Sequence, residues 1–112
     1  MEAKTLSPNL EENLTYFTGR FQNAMDLMVR RVELSGRKAA MIAIDGLVNK
    51  ETITLSLLEP LLKTEGYPDQ PEAMVDFIES QVLSAADLRR ERRMDKLLTL
   101  LMSGFVLLCV DG

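Results

Sequence analysis

The sequence predicts an α/β fold in which a small, mostly parallel sheet of two to three strands is covered by four to five helices. Two apolar runs closed by Asp-Gly, residues 39–46 and 105–112, have the composition of strands that are buried on both faces. Much of the remaining chain carries apolar residues at steps of three and four, which is typical of amphipathic helices. Helices are expected on both sheet faces, because strands of this composition cannot leave either face in water.

The two predicted strands cover about residues 39–45 and 105–110. Because a long helical crossover joins them, we expect them to pair in parallel with a right-handed connection. Two strands alone make a marginal sheet, so a further strand is required. Either a short strand near 82–90 supplies it, or chain beyond residue 112 does. The Asp-Gly at the end, where a turn is expected, predicts that residues 1–112 are one subdomain of a larger protein.

A first helix is predicted from Leu10 to Val32, a stripe of about six turns. Asp26 and Arg30 would form an i,i+4 ion pair on its outer face, and Gly36 would end it.

The start of that helix has two interpretations. Either Ser7 is the N-cap with Pro8 at the first helical position, or Asn9 is the N-cap and Glu12 completes a capping box.

Further along the chain, Asn49 is expected to cap a second helix that is kinked or broken near Glu59, because Pro60 lies inside it. Pro71 opens a third helix, and Met94 to Met102 form the last, with Gly104 in the left-handed position after its end.

A basic cluster is the main candidate for an interface or an anion-binding site, and it consists of Arg89, Arg90, Arg92 and Arg93. Such a cluster could hold a phosphate, an anionic lipid surface or an acidic partner, although a solvated charged segment is the more ordinary interpretation. The acidic region from 59 to 79 is a candidate partner, within the chain or between copies. The segment 84–93 could continue the third helix, form an edge strand or be irregular.

Catalytic chemistry finds little support in the sequence. The chain has no His, and its single Cys109 lies inside the last apolar run, so neither a disulfide framework nor a Cys-based zinc site is expected. Asp45 and Asp111 each follow a predicted strand, where a paired-carboxylate Mg²⁺ site is conceivable, but Asp-Gly is a common turn dipeptide and the turn is favoured. We therefore predict no enzyme activity and no cofactor.

Charge and hydropathy limit the partners and the location. A net charge of −4 does not support nucleic-acid binding. The N-terminus lacks the features of a signal peptide, and the longest apolar stretch, residues 97–110, is too short to span a membrane. The edges of so small a sheet are exposed, which predicts that the isolated chain dimerises or swaps elements with another copy of itself.

Five segments in this order resemble the start of the A-type subunit of the GerA family of spore germination proteins: NLEENL, DLMVRR, GRKAAMIAIDGLVNKETI, LLEPLL and LLMSGFVLLCVDG. The third segment is most similar to the stage V sporulation protein AF branch. The resemblance assigns architectural roles, and no catalytic ones, to Asp26, Arg30, Asp45, Gly46, Pro60 and Gly104.

The resemblance implies that residues 1–112 are the first part of an N-terminal cytosolic region with two α/β subdomains, followed by a membrane portion. Its parent would lie in the inner spore membrane, with this domain on the spore-core side. The implied function is assembly or gating of an oligomeric channel that releases ions when nutrient is sensed. The implied partners are other copies and B-type and C-type subunits. The alternative is a small-ligand or anion-binding α/β domain.

Overall fold

A three-stranded antiparallel sheet with helices on both faces forms the centre of the protein. The computed structural model describes residues 5–21, 26–83, 88 and 90–112. In chain order the elements are α1 (Leu10–Arg20), β1 (Leu27–Leu34), β2 (Arg37–Ile44), α2 (Lys50–Ile53), a π-helical turn (Thr54–Leu58), α3 (Glu59–Lys63), α4 (Pro71–Phe77), a second π-helical turn (Ile78–Val82), α5 (Met94–Met102) and β3 (Leu107–Val110). Strand β2 lies in the middle of the sheet. The predicted α/β class is confirmed.

The predicted parallel pairing is wrong. Strand β3 runs antiparallel to β2, with Ile42 opposite Leu107 and Ala39 opposite Val110. The expectation of a parallel pair assumes a crossover that returns the chain to the opposite end of the sheet. Here the chain enters β3 near the end at which it leaves β2, since a Cβ built on Gly104 would lie 3.3 Å from the carbonyl oxygen of Leu47. Several successive helices connect the two strands, and together they bring the chain back to the end of the sheet at which β2 finishes.

The third strand of the sheet comes from the segment predicted as the second half of the first helix. Helix α1 ends at Arg20, and Leu27–Leu34 pairs with Arg37–Ile44 as a hairpin. Ser35 and Gly36 form its two-residue turn, with φ angles of 51° and 85°. Positive φ at both positions is the type I′ geometry, whose twist matches that of paired strands. Gly36 therefore closes a hairpin instead of ending a helix.

Two further predictions are affected because residues 27–34 form a strand of the sheet and not part of a helix: the Asp26–Arg30 ion pair and the extra strand near 82–90. Asp26 and Arg30 cannot form an i,i+4 pair, because an extended chain separates them by about 13 Å. The alternative strand near 82–90 is not found in the described residues, where Val82 and Leu83 end a helix and the Leu83 N–H donates to the Ile78 carbonyl at 2.8 Å. Residues 84–87 and 89 lie outside the described part of the chain.

The sheet separates two hydrophobic cores. Helices α1 and α5 cover one face, packing against the alternate β2 and β3 side chains of Ala40, Ile42, Ile44, Leu107 and Cys109. The helical segments from 50 to 83 cover the other face, packing against Leu34, Ala39, Met41 and Ala43. All six residues from Ala39 to Ile44 are buried, as expected for a strand covered on both faces.

Local chemistry at the helix ends agrees with the sequence. The Asn9 side chain accepts from the Glu12 N–H at 3.1 Å, so Asn9 is the N-cap of α1. The carboxylate of Glu12 instead accepts a hydrogen bond from the Ser7 hydroxyl at 2.8 Å. Of the two interpretations of this helix start, the Asn9 cap is therefore the correct one. The capping box predicted with it is wrong, because the Asn9 N–H donates to the Ser7 hydroxyl at 3.0 Å and not to Glu12.

Pro60 and Gly104 also occupy the positions predicted for them. A π-helical turn directly precedes the proline, where the Glu59 N–H bonds back to the Thr54 carbonyl, and such widened turns are a known cause of helix kinks. Gly104, at φ 90°, follows α5. Its N–H bonds to Leu101 at 3.1 Å and the Phe105 N–H to Leu100 at 3.0 Å, which is a Schellman ending.

Candidate functional site

The arginine segment is tied to the helix formed by α4 and the second π-helical turn. Arg90 donates to Asp76 Oδ1 at 2.5 Å and to Glu79 Oε2 at 2.9 Å. Arg92 lies 3.5 Å from Glu72. The predicted acidic partner region thus meets the arginines within one chain. Hydrogen bonds to Asp76, and then to Glu79, raise the pKa of Arg90 above its ordinary value.

The other arginines of the segment have different neighbours. Arg93 pairs with Asp95 at 3.2 Å, and its backbone forms an isolated bridge with Thr5. Glu91 accepts from the N–H groups of Arg93 at 3.0 Å and Arg92 at 3.1 Å, and these bonds, the Arg93 bond first, lower the pKa of its carboxyl. Arg89 lies outside the described residues. Binding of an external anion or partner by this cluster stays a prediction, and part of its charge is already paired.

Asp45 and Asp111 do not form a site together. Asp45 follows the carboxyl end of β2, whereas Asp111 donates its N–H to the Lys38 carbonyl, at 2.9 Å, beside the start of that strand. The two carboxylates therefore lie at opposite ends of the sheet, because β2 and β3 are antiparallel. For this reason the two carboxylates cannot form the paired Mg²⁺ site that the sequence made conceivable. Across the described residues, no group of three or more potential acidic, His or Cys ligands converges on a metal position.

Each of these aspartates has a structural role instead. The Asp45 N–H donates to the Asp26 carbonyl at 2.9 Å, which extends the β1–β2 ladder by one pair. Ile44 to Leu47 then form a turn closed by a 3.1 Å hydrogen bond, with Gly46 at φ 93°. Positive φ at the third position is the type II requirement that Gly meets without strain. The favoured turn interpretation of Asp45-Gly46 is confirmed.

The end of β3 is joined to the start of α1 and to β2 by polar contacts that sequence reasoning missed. Asp111 Oδ1 accepts from the Leu10 N–H at 2.8 Å. Arg37 donates from Nη1 to the Asp111 carbonyl at 2.6 Å and from Nη2 to the Asp69 carbonyl. The Gly112 N–H donates to the Pro8 carbonyl at 2.7 Å. No local sequence signal links these residues, since the contacts exist only once the strands are paired.

Asn13 is the buried polar side chain of α1, at 3 % exposure. Its Oδ1 accepts from the Ser7 N–H at 2.9 Å, and its Nδ2 donates to the Ser7 carbonyl at 2.8 Å. Both ends of the amide are thereby satisfied, as burial of a polar group requires. The arrangement fixes the chain before α1 against the helix.

Two open grooves accompany the sheet. One, of about 310 Å³, has charged walls that include Glu11, Arg31, Glu33 and Lys38. Its Glu11 and Arg31 form an ion pair with each other. The other, of about 240 Å³, lies beside the first π-helical turn and is lined mainly by apolar side chains, among them Met28, Met41, Ile53 and Leu58, with Arg30 and Thr54 as the polar members.

The fold and these contacts define a mixed α/β domain with one antiparallel sheet between two helical layers. None of its described helices has the length and apolar composition needed to cross a bilayer. The family model for the Bacillus/Clostridium GerA spore germination protein matches residues 15–112. The chain belongs to this family, and the resemblance found in the sequence is confirmed.

A curated relative and a solved structure agree with that assignment. The chain is 29 % identical over 110 residues to spore germination protein KA of Bacillus subtilis strain 168, covering 96 % of this chain and 20 % of the relative. It also matches the crystal structure of the N-terminal domain of the A subunit of the Bacillus megaterium spore germinant receptor GerK3, with a TM-score of 0.81 and 28 % identity. That match covers 100 % of this chain and 46 % of the solved chain.

Proposed function

We propose that this chain is the first part of the cytosolic N-terminal region of a spore germination membrane protein, either a germinant receptor A subunit or a related channel-forming subunit. The observation that carries the proposal is the structural match along the whole chain to the N-terminal domain of a receptor A subunit, at a TM-score of 0.81. The family match over residues 15–112 supports the same role.

The proposed role of the domain is assembly or gating, without catalysis. Its parent is embedded in the inner spore membrane, and the domain lies on the spore-core side. Its partners are other copies of the same subunit together with B-type and C-type subunits, and no nucleic acid is involved. The chain covers only a fifth of the curated relative's length, so nutrient sensing and ion release belong to the proposal for the whole protein.

The positions of Asp45 and Asp111 are compatible with this role. Asp45 and Asp111 lie at opposite ends of the sheet, so they cannot act on one substrate atom. Arg90 is paired with Asp76 and Glu79, so two of its N–H donors are occupied and its positive charge is offset by their carboxylates.

A replacement at the chromosomal gene tests the role. Ile42→Asp places a charge at a side chain with 0 % exposure and should unfold the domain, whereas Thr52→Asp makes a comparable change at an exposed position of α2. Spores carrying the Ile42 variant should lose nutrient-triggered ion release, and spores carrying the Thr52 variant should keep it. Parent protein levels are compared by immunoblot. Normal germination of Ile42→Asp spores with normal parent levels would contradict the proposal.

Small-ligand binding is the second candidate, and the 240 Å³ groove favours it. Apolar walls with Arg30 as the charged member would suit a small carboxylate that has an apolar tail. Amide chemical shifts recorded during titration with short carboxylic acids test this, with Arg30→Gln as the binding variant and Arg31→Gln as the matched control on the same strand. No shift change around Met28 and Met41 at millimolar ligand would remove the candidate.

A further inference from the structure

The two outer strands of the sheet each turn one row of backbone groups away from β2. In an antiparallel ladder, alternate residues exchange hydrogen bonds with the partner strand. The Asp111 N–H bonds to the Lys38 carbonyl, so Cys109 and Leu107, at the same phase, also face β2. The N–H and C=O groups of Leu108 and Val110 therefore point outward. Within the described part of the chain no hydrogen bond reaches them.

The β1 edge is protected in a way that the β3 edge is not. Strand β1 carries exposed charged side chains at Arg30, Arg31 and Glu33, and Arg31 pairs with Glu11 of α1. Charges on an edge strand discourage pairing with another chain. Strand β3 is Leu-Leu-Cys-Val, with no charge and no proline. Its edge is short and apolar, and the outward donors and acceptors of Leu108 and Val110 have no partner among the described residues.

The β3 edge is also complementary to itself. If the two-fold axis passes midway between the Cys109 residues of the two copies, Leu108 lies opposite the partner's Val110 and forms a hydrogen-bonded pair with it. Cys109 then lies opposite the partner's Cys109 as a non-hydrogen-bonded pair. On one face the pairing continues the row of Leu107 and Cys109, and on the other the row of Leu108 and Val110. No charged side chain of the strand is buried by it.

We propose that the β3 edge is an assembly surface at which two copies of this chain pair antiparallel, joining their sheets into one. The inference names a surface for the assembly role and rests on the proposed function only for its biological use. Because the strand has four residues, the association is expected to be weak and to depend on concentration.

Hydrogen exchange on the unmodified chain tests the pairing residue by residue. At high concentration, the amides of Leu108 and Val110 should exchange about tenfold more slowly than in dilute solution, while light scattering shows mass approaching that of a dimer. The Cys109 amide should not change, because it already bonds to β2. A strict monomer with concentration-independent exchange would overturn the proposal, as would a dimer that protects Val29 and Arg31 of β1 instead.

A pair of edge variants locates the surface. Val110→Lys places a charge on the β3 edge and should abolish the dimer, while Val29→Lys makes the same change on β1 and should leave it intact. Circular dichroism checks that both variants fold. If either variant fails to fold, the hydrogen-exchange measurement on the unmodified chain still tests the proposal.

A longer version of the protein tests whether chain beyond residue 112 covers the β3 edge instead of a second copy. If it is monomeric and protects Leu108 and Val110 at every concentration, the chain's own continuation covers the edge and pairing between copies is refuted. The germination assay with Ile42→Asp does not depend on these outcomes, so the two proposals can fail separately.

Discussion

The carboxylate of Asp111 accepts a hydrogen bond from the backbone N–H of Leu10 at 2.8 Å, which places the residue after β3 at the N-terminus of α1. The first N–H groups of a helix have no partner within the helix, and a negative charge there also interacts favourably with the helix dipole. Asn9 satisfies the Glu12 N–H of the same turn. Helix α1 is therefore anchored by a residue from the opposite end of the sequence.

Asp111→Ala should lower the free energy of unfolding by about 1 kcal/mol, because it leaves the Leu10 N–H without its acceptor and removes the charge. Asp111→Asn keeps an acceptor and should cost less. Urea unfolding measures both, with Asp69→Ala, at an exposed side chain, as the control. Equal stability of Asp111→Ala and the unmodified chain would show that the bond contributes nothing.

Gly104→Ala should destabilise the protein by about 2 kcal/mol, because a side chain there is strained by the positive φ and meets the Leu47 carbonyl at 3.3 Å. Gly36→Ala is the matched control, since it has φ 85° but no atom within 4 Å of an added Cβ. It should cost only about 1 kcal/mol, the strain alone. Thermal unfolding ranks the two, and a reversed order would contradict the close approach at Gly104.

Tyr67→Phe should cost about 1–2 kcal/mol, because it removes the hydroxyl that donates to the buried Leu61 carbonyl, a bond of 2.6 Å. The change leaves the ring contact with Phe77, whose centroid lies 5.6 Å away. Phe77→Leu removes that contact and spares the hydroxyl, so comparing the two variants by urea unfolding separates the contributions. An unchanged stability for Tyr67→Phe would mean that the carbonyl finds another donor.

The stability that Cys109 contributes should depend on pH in the alkaline range. Burial raises the pKa of its thiol from 9.0 to about 11. Below pH 9 the thiol is protonated in both states; between 9 and 11 it ionises in the unfolded chain first, which favours unfolding. The stability difference between the unmodified chain and Cys109→Ala should therefore shrink as pH rises through this window. A difference that does not change with pH would contradict a buried thiol.

Local chemistry could be predicted from the sequence wherever neighbouring residues determine it. The Asn9 cap, the helix irregularity just before Pro60, the Asp45-Gly46 turn and the Gly104 ending are of this kind. Strand β1 could not be predicted, because its apolar residues also fit a helical spacing and pairing with β2 decides the outcome. The antiparallel β3 was missed because it depends on where several helices return the chain.

In the candidate site, too, the sequence predicted some contacts and missed those that depend on the completed fold. The excess of acids between 59 and 79 indicated a partner for the arginines, and Arg90 does meet Asp76 and Glu79. The contacts of Arg37 and Asp111 were not predictable, since they join residues that are brought together only by the completed sheet.

The sheet contains one pair of strands that are adjacent in sequence, β1 and β2, and one pair that are far apart, β2 and β3. We expect the adjacent pair to form first. Strands β1 and β2 are joined by Ser35 and Gly36, so their hairpin can form from local contacts within microseconds. Strand β3 can pair only after helices α2 to α5 and the two π-helical turns between them have been synthesised. Because closing so long a loop slows folding, we expect β2 to keep one side unpaired until β3 docks and adds its side chains to both cores.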